Sequence, residues 1–484
     1  MITDEQLRRY EMTIGIECHV QLATQTKLFS GANNDARDQS PNSVVSPIDF
    51  GLPGMLPVLN RKAVDLAIRA GKALNADIAE VSRFDRKHYF YPDLPKGYQT
   101  TQMYHPIILE GYIDAPLEDG TVTRVRIHHA HMEEDAGKLS HYADHSLVDL
   151  NRAGTPLIEI VSEPDIHSAL EAKAYATELY LLMTYAGVTH GDLYHGNMRF
   201  DVNVSIALKG ASQLGTRAEV KNLNSFKSVE KAAEYEFRRQ VEILEKGEEV
   251  VQETRGWDDA KQLTTSQRSK ADAQDYRYMP DADIPPIILT QEEITSIQAQ
   301  VPLLPPAYRK QWVNLELDRS VVDSLLANQT YAALVTSIQK QATDAIAKRV
   351  AHWFASALGH GDDDQATTAV DITDPAGLIE LARMVEANEL SSTAAKEIFI
   401  ELLTNNESPR VIAERKNLLQ VSDEGAIATI VDEVLADPAS AKAIEDIKNG
   451  NDKVIGFLVG QIMKKSQGKA NPALAQKLIR KKLL

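Results

Sequence analysis

Hydrophobic and polar residues alternate along the first clearly patterned stretch of the chain. Over Ile14–Leu22 every second residue is apolar, and the residues between are glycine or polar. This period of two predicts a strand with one buried face and one polar face. The polar face then carries Glu17 and His19 side by side. A carboxylate beside an imidazole can hold a metal or form an acid/base pair, although a half-exposed structural strand shows the same pattern.

The alternation recurs in three later stretches, each with chemically active side chains on its polar face. Val122–Ile127 alternates and runs into His128–Asp135, where three histidines and three acids lie within eight residues. Arg199–Ile206 and Thr216–Leu223 alternate in the same way. The polar positions of these last two strands include Arg199, Asp201, Asn203, Ser205, Arg217, Glu219 and Lys221.

The acids of these strands are spaced too closely for an ordinary solvated surface. If the strand continues through His128–Asp135, Glu133 and Asp135 share one face and Glu134 takes the other. Neighbouring carboxylates repel each other unless a cation or a basic side chain lies between them. A further strand carries Glu159. We interpret these polar faces as one charged cleft on an antiparallel sheet, with a solvated structural sheet as the alternative.

Helical patterns lie between these strands and then dominate the rest of the chain. Lys62–Leu74, Ser168–Tyr185 and Phe226–Lys246 have apolar residues at helical spacing. From Thr290, which opens a capping box, the chain is predominantly helical. The predicted fold class is α+β, with a mixed first domain followed by two helical ones. The predicted domains are residues 1–293, 294–408 and 409–484.

The composition is that of an ordinary soluble globular protein. The 484 residues are 43% hydrophobic and 25% charged, and they suffice for two or three domains. No apolar run approaches the roughly 18 residues of a membrane span, and the first residues resemble neither a signal nor a transit peptide. Cys18 is the single cysteine, which excludes an internal disulfide framework and a cysteine-based zinc site. We therefore expect a cytoplasmic protein.

The net charge of −17 argues against broad, unspecific binding to nucleic acid, but the charge is unevenly distributed. Residues 448–484 contain nine basic residues and one acid, so this end carries +8 and the remainder −25. An acidic body with a basic end suits local contact with a phosphate backbone, and a solvated helix face is the alternative.

Several common catalytic motifs are absent from the sequence. It contains no Gly-x-x-x-x-Gly-Lys-Ser/Thr, Gly-x-Gly-x-x-Gly, Gly-x-Ser-x-Gly or His-Glu-x-x-His segment. A bound nucleotide must then be held through Mg²⁺ on carboxylates, together with basic side chains. The residues alone thus predict a carboxylate-lined, Mg²⁺-binding cleft and a basic helical end.

Motifs along the whole chain resemble one family, the B subunit of the bacterial, heterotrimeric glutamyl/aspartyl-tRNA amidotransferase. They occur in the family's order and reach from the first strand to the basic end. The matching stretches are Gly15–Leu22, Gly51–Asn60, Asp85–Asp93, His131–Lys138, Val148–Asp165, Arg217–Phe226, Asp275–Pro285, Gly456–Lys464 and Gly468–Pro472.

The resemblance implies a ligase that works on misacylated tRNA. ATP·Mg²⁺ would phosphorylate the side-chain carboxylate of Glu-tRNA(Gln) or Asp-tRNA(Asn), and ammonia would displace the phosphate. The ammonia would come from glutamine hydrolysed by an amidase A subunit, and a small C subunit would complete the heterotrimer. The catalytic domain would resemble the glutamine synthetase/guanido kinase fold. Phosphoryl transfer needs mainly positioning and charge neutralisation, which Mg²⁺ on carboxylates supplies.

The resemblance also implies roles for individual residues of this sequence. Lys87 falls where the family places a lysine that gates the ammonia channel. The implied metal ligands are Glu17, His19, Glu134 and Glu219. The implied catalytic residues are Lys87, Glu133, Glu134, Asp201 and Lys221, and those that contact the nucleotide are Asn203, Ser205, Arg217 and Asn222. The residues expected to contact tRNA are Lys453, Lys464, Lys465 and Lys469.

The sequence departs from the family pattern at two places. Some members carry a zinc site with a Cys-Pro-x-Cys segment, where this chain has Ser46-Pro-Ile-Asp49, so we expect no zinc. Tyr194-His-Gly-Asn197 replaces a segment that is often acidic, and we interpret His195 as a loop residue. An archaeal-type, glutamate-specific subunit or a stand-alone carboxylate–amine ligase would carry an extra domain that is not visible here. A non-catalytic tRNA-binding scaffold, the remaining alternative, predicts that the acids are dispensable.

Overall fold

The structure is a computed structural model that describes residues 2–269, 275–357, 374–405, 407–420, 424–466 and 470–483. The chain forms two compact units, Met1–Pro305 and Pro306–Leu484. The first unit is mixed α and β, and the second is helical. The predicted order of a mixed part followed by helices is confirmed.

The strands found in the described residues all belong to the first unit. They are β1 (Tyr10–Gln21), β2 (Val81–Ser82), β3 (Asp85–His88), β4 (Tyr98–Thr101), β5 (Gly111–Pro116), β6 (Val122–Glu134), β7 (Lys138–His141), β8 (Ser146–Asp149), β9 (Pro156–Ser162), β10 (Met198–Leu208), β11 (Arg217–Leu223), β12 (Glu253–Asp258), β13 (Leu263–Ser269), β14 (Met279–Pro280) and β15 (Ile287–Ile288).

The helices lie in both units. They are α1 (Asp4–Leu7), α2 (Arg61–Ala73), α3 (Ala169–Tyr185), α4 (Phe226–Glu245), α5 (Gln291–Gln298), α6 (Pro305–Gln311), α7 (Arg319–Leu326), α8 (Gln329–Gln341), α9 (Asp344–Ala357), α10 (Ala376–Glu386), α11 (Ser392–Leu402), α12 (Pro409–Arg415), α13 (Glu424–Leu435), α14 (Ala441–Lys448), α15 (Ile455–Lys465) and α16 (Pro472–Leu483). Within the part of the chain that is described, none combines the length and apolar character needed to cross a bilayer.

An eight-stranded sheet organises the first unit. Its strand order is β13-β12-β11-β10-β1-β9-β6-β5, so β1 lies near the middle, between β10 and β9. Neighbouring strands are antiparallel except for β11 and β12, which run parallel. The sheet is thus mostly antiparallel, as the alternation predicted.

The two faces of the sheet follow from the alternation. Along β1, residues such as Ile14 and Cys18 are fully buried, whereas the intervening residues retain partial exposure. The apolar face packs against α3 and α4, whose predicted ranges are confirmed within a residue. Ser168 and Ser225 cap these helices by accepting hydrogen bonds from the third backbone N–H beyond them. The polar side chains of β1 therefore project from the opposite face.

A small sheet lies against the end of β6. It has the order β14-β3-β4, and β4 is joined to β6 by hydrogen bonds. The Thr100 backbone N–H donates to Glu134 Oε1 at 2.9 Å, and Gln99 Nε2 donates to the Glu134 carbonyl oxygen at 2.9 Å. These bonds place the small sheet beside the acid-rich end of β6.

Helix packing sets the boundaries of the helical parts. The capping box at Thr290 is present, but α5 packs on α2 of the first unit, and that unit extends to Pro305. Near the predicted boundary at residue 409, α12 packs on α10 and α11. A separate hydrophobic cluster, from Ile427 to Ile479, holds α13 to α16 together. The segment with its own core therefore begins at α13.

Candidate active site

One acid cluster on the polar face combines residues of three adjacent strands. Glu17 on β1, Asp201 on β10 and Glu219 on β11 offer carboxylate oxygens that lie within 4.8 Å of one another. Lys221 Nζ lies 2.8 Å from Asp201 Oδ2 and 3.1 Å from Glu219 Oε1. We call these three acids the first cluster. Register explains it, because Glu17 faces Asp201 across the β1–β10 pair.

The first cluster gathers more negative charge than its lysine balances. Burial, together with the charges of Glu159, Glu219 and Asp201, raises the pKa of Glu17. Burial alone would lower the pKa of Lys221, but the adjacent carboxylates raise it. Three carboxylates share one ammonium, and all their potential ligand atoms are oxygens. This donor set is the kind that Mg²⁺ prefers.

A second acid cluster lies on the other side of β1. His19 Nε2 lies 3.5 Å from both Glu133 Oε1 and Glu159 Oε2, and the three residues could hold a metal ion. His131 Nε2 lies 3.4 Å from Glu159 Oε2. Because β9 lies between β1 and β6, His19 and His131 each face Glu159 across a strand pair. We call His19, Glu133 and Glu159 the second cluster.

Protons balance the charge of the second cluster when no metal is bound. Burial would lower the pKa of His19, but contact with Glu159 and the charge of Glu133 raise it to about 9. The same balance raises the pKa of His131 to about 10. Burial would raise the pKa of Glu159, yet its two histidine neighbours hold it well below the ordinary value. A divalent cation at this cluster must therefore replace a proton on His19.

The structure does not bring Glu134 together with His19 or Glu219, so the ligand set that the resemblance implies needs correction. Glu134 follows Glu133 on β6 and therefore points to the opposite face. It is buried there, with an ion pair to Lys96 and a hydrogen bond from the Thr100 N–H. His19 and Glu219 are themselves in different clusters.

A cavity of about 410 Å³ borders the first cluster. Glu17 contributes to its wall, and Asn203 Nδ2 donates to Glu17 Oε1 at 3.1 Å. Its lining includes Thr13, Gly15, Glu17, Asn203, Ser205, Thr216 and Arg217. Three of the residues predicted to contact nucleotide, Asn203, Ser205 and Arg217, thus share one cavity that opens beside the carboxylates.

Two other predicted residues lie away from this cavity. Asn222 is exposed on β11 with a positive φ of 67°, which asparagine tolerates, and is not part of the cavity lining. Lys87, on β3, has its ammonium 4.9 Å from the centre of the Tyr276 ring. Lys87 thus belongs to the small sheet rather than to either acid cluster.

The lysines predicted to contact tRNA differ in how they are paired. Lys453 and Lys464 are exposed, and they form no ion pair with any residue in the described part of the chain. Lys465 Nζ is 2.7 Å from Glu433 Oε2. Lys469 lies outside the described residues. Lys453 and Lys464 are therefore better placed for a phosphate than Lys465.

Sequence reasoning gave no role to several residues that the clusters contain. Glu159 belongs to the second cluster, His131 contacts Glu159 from outside that cluster, and Thr254 Oγ1 donates to Glu219 of the first cluster at 2.8 Å. The signal for Glu159 was an acid in the middle of an otherwise apolar strand. No comparable signal existed for Thr254, because β12 reaches β11 only through tertiary pairing.

Comparisons with known proteins identify two matching domain models and several similar chains. The chain matches the GatB/GatE catalytic domain over residues 12–295 and the GatB domain over residues 333–483. It is 42% identical over 493 residues to a protein of Carboxydothermus hydrogenoformans, covering 99% of each chain. It is 44% identical to one of Persephonella marina (98% of this chain, 99% of that one) and 43% identical to one of Trichodesmium erythraeum (98% of each). Each relative is named as the B subunit of an aspartyl/glutamyl-tRNA(Asn/Gln) amidotransferase.

Proposed function

The chain belongs to the family of aspartyl/glutamyl-tRNA(Asn/Gln) amidotransferase B subunits, and we propose that it catalyses the ATP-dependent activation and amidation step. The single observation that carries the proposal is the presence of two acid clusters on one sheet face, the first of which borders a cavity of about 410 Å³. The proposed substrates are Glu-tRNA(Gln), Asp-tRNA(Asn) or both, together with ATP and glutamine-derived ammonia.

The chemistry explains why such a site needs both acids and bases. A carboxylate is a poor electrophile, so the substrate carboxylate oxygen first takes the γ-phosphoryl group of ATP, and ADP leaves. Ammonia then attacks the acyl carbon, and the bond between that carbon and the phosphate oxygen breaks. One ammonia proton ends on the released phosphate, which gives the amide and hydrogen phosphate. Both steps depend mainly on positioning and on neutralised phosphate charge.

The first cluster is our proposed Mg²⁺ site for the nucleotide phosphates. Glu17, Asp201 and Glu219 provide the ligands, and Mg²⁺ supplies charge neutralisation there. Lys221, already between two of these acids, would contact the transferred phosphate. Asn203, Ser205 and Arg217 would hold the nucleotide, because they line the adjoining cavity.

The second cluster is our proposed site for the substrate carboxylate and a second divalent cation. His19, Glu133 and Glu159 offer one nitrogen and carboxylate oxygens, a set that accepts Mg²⁺ or Mn²⁺. An anionic substrate side chain needs a cation here, because the protein itself presents carboxylates. Lys87 and Lys96 lie at the adjoining small sheet, where the ammonia route is expected to arrive.

The proposed assembly is a cytoplasmic heterotrimer with an amidase A subunit and a small C subunit. The relatives are named as B subunits, which supports the presence of other subunits. The antiparallel-rich sheet, with both acid clusters on its polar face, supports our proposal of a glutamine synthetase-like fold for the first unit.

Reconstitution tests the proposed function. The chain is co-expressed with candidate A and C subunits, and conversion of Glu-tRNA(Gln) to Gln-tRNA(Gln) and of Asp-tRNA(Asn) to Asn-tRNA(Asn) is followed. We expect conversion that requires ATP, a divalent cation and glutamine. Conversion without ATP, or none in a complete assembly that still hydrolyses glutamine, would contradict the proposal.

Metal binding at the second cluster should release protons. His19 has its pKa raised to about 9, so at pH 7.5 it is protonated and must lose that proton to bind an ion. We expect about one proton released per Mn²⁺ and a weaker apparent affinity as the pH falls. Calorimetry of the complex in two buffers of different ionisation enthalpy measures this number. Glu17→Gln, which alters the first cluster, is the control and should leave the proton release unchanged. Binding of Mn²⁺ without proton release would disprove the assignment of His19 as a metal ligand.

Substitution of individual lysines in the basic end should distinguish lysines that contact tRNA phosphates from lysines that are paired with an acid of the protein itself. Lys464→Gln should weaken tRNA binding and reduce the slope of log affinity against log salt by about 1. Lys465→Gln is the matched control, because its partner Glu433 already neutralises it. Salt titrations of tRNA binding by the reconstituted complex measure both slopes. Equal slopes for the two variants would argue against this distinction.

A further inference from the structure

Four tyrosines form a continuous aromatic array on the small sheet. The ring centres of Tyr104 and Tyr278 are 6.4 Å apart, those of Tyr278 and Tyr276 are 6.1 Å apart, and those of Tyr276 and Tyr89 are 6.4 Å apart. All three contacts are edge-to-face, with interplanar angles of 69–74°. We call Tyr89, Tyr104, Tyr276 and Tyr278 the tyrosine ladder. The proposed reaction assigns it no role.

The tyrosine ladder borders the second cluster. Tyr276 and Tyr278 lead directly into β14, which pairs with β3, and the neighbouring β4 is bonded to the backbone at the end of β6, next to Glu133. Burial, the other tyrosines and the carboxylates of Glu159 and Glu133 raise the pKa of Tyr278 to about 12. The Tyr278 hydroxyl is therefore within electrostatic reach of the second cluster.

Tyr104, at one end of the ladder, is open to solvent, and Lys87 packs on Tyr276 in its middle. Tyr104 is 59% exposed, and the adjacent Met103 and Met279 are 52% and 46% exposed. Lys87 Nζ lies over the Tyr276 ring, and no carboxylate of the described residues forms an ion pair with it. The surface is aromatic, partly exposed and next to the proposed reaction site, and it includes an ammonium without a carboxylate partner in the part of the chain that is described. Such a surface suits a ligand that has aromatic rings and negative charge.

We propose that the tyrosine ladder binds the unpaired nucleotides at the 3′ end of the aminoacylated tRNA by stacking with their bases. This inference rests on the proposed function, in which the activated carboxylate belongs to an amino acid esterified to the last nucleotide. That nucleotide must lie within a few bonds of the acid clusters, and the ladder is an aromatic surface on the small sheet, which is joined to the end of β6 beside Glu133. Unpaired bases stack on aromatic side chains with little regard to sequence.

The test compares the binding of intact and shortened tRNA to the full reconstituted complex, with and without substitutions in the ladder. Fluorescence anisotropy measures binding of intact tRNA and of the same tRNA without its last three nucleotides. Shortening should weaken binding to the unsubstituted complex roughly tenfold or more. Tyr104→Ala and Tyr278→Ala should weaken binding of intact tRNA by a similar factor and leave the shortened tRNA unaffected, whereas Phe at either position should retain stacking.

Kinetics add a second measurement and a matched control. The two Ala variants should raise the KM for tRNA roughly tenfold without changing the KM for ATP. Tyr142→Ala removes an exposed tyrosine that stacks on His145 in the β7–β8 hairpin, and it should change neither constant. If Tyr278→Ala fails to fold, Tyr104→Ala retains the test, because Tyr104 is largely exposed.

Other outcomes overturn the inference. Equal loss of affinity for intact and shortened tRNA shows that the ladder does not contact the 3′ end. Weakened association with the A subunit, with unchanged tRNA binding, shows a protein-docking surface instead. If the complex binds intact tRNA more tightly than shortened tRNA but does not amidate it, the proposed function is disproved and the assignment of the ladder to the 3′ end is retained. A complex that amidates tRNA while the shortening has no effect disproves the ladder alone.

Discussion

Glu219→Gln should lower the rate of ATP-dependent amidation by roughly 10³, which corresponds to about 4 kcal/mol of lost transition-state stabilisation. Gln keeps the shape of the side chain and can still accept the hydrogen bond from Thr254. What it removes is one of the three negative charges that we propose to hold Mg²⁺. The phosphoryl group then reacts with its charge poorly neutralised, so the effect should fall mainly on kcat.

The measurement is single-turnover conversion of Glu-tRNA(Gln) by the reconstituted complex, at saturating ATP and over a range of Mg²⁺. Added Mg²⁺ should recover part of the lost rate, because the change weakens a binding site. Glu230→Gln is the matched control, since it breaks a carboxylate–lysine pair with Lys173 between α3 and α4. Near-normal rates for Glu219→Gln at low Mg²⁺ would exclude this residue as a ligand.

Local pattern predicts the strands of this protein well, because which residues face the core is a property of each strand alone. The alternation over β1, β10 and β11 identified their buried faces from the sequence. Strand order is a different matter. The position of β9 between β1 and β6, and the parallel pairing of β12, depend on contacts between distant segments that no local period contains.

The same distinction explains which parts of the site could be predicted. Parity along β6 placed Glu133 and Glu134 on opposite faces, and the structure agrees. The resemblance nevertheless implied one ligand set that included Glu134 and omitted Glu159. Two clusters form instead because the acid opposite β1 changes side along the strand: Glu17 faces Asp201 on β10, whereas His19 faces Glu159 on β9.

Domain boundaries were the least predictable feature. Capping boxes and proline breaks mark where a helix begins or ends, but a helix belongs to the core that buries its apolar side. Thr290 correctly marks the start of α5, yet α5 packs on α2. Ile412 and Ala413 of α12 are likewise buried where α12 packs on α10 and α11, before the last hydrophobic cluster begins.

A buried ion pair holds the loop between β1 and α2, which contains Ser46-Pro-Ile-Asp49. Lys27 is fully buried, and its Nζ lies 3.3 Å from Asp49 Oδ2. The same oxygen accepts hydrogen bonds from Ser30 Oγ at 3.1 Å and from the Ser46 backbone N–H at 2.8 Å. Asp49 thus joins three points of the loop between β1 and α2. The expectation that the chain binds no zinc stays a prediction.

Lys27→Met should lower the free energy of unfolding of the first unit by about 3–5 kcal/mol, because it leaves Asp49 buried without its cation. Methionine fills a similar volume, so a cavity contributes little. In a domain of this size the melting temperature should fall by roughly 6–10 °C. Urea titration of the full chain, with fluorescence and circular dichroism as probes, measures the change. Loss below about 1 kcal/mol would show that water or a rearranged loop compensates Asp49.

Two further variants separate the buried charge from the loss of a side chain. Lys27→Met combined with Asp49→Asn should recover more than half of the lost stability, since asparagine is neutral and still accepts from Ser30 and Ser46. Arg124→Met is the matched control, because it breaks an ion pair with Asp114 of better geometry, at 2.7 Å, between largely exposed side chains. We expect Arg124→Met to cost less than about 1 kcal/mol. A double variant no more stable than Lys27→Met would mean that contacts of the lysine stem, rather than the charge on Asp49, hold this loop.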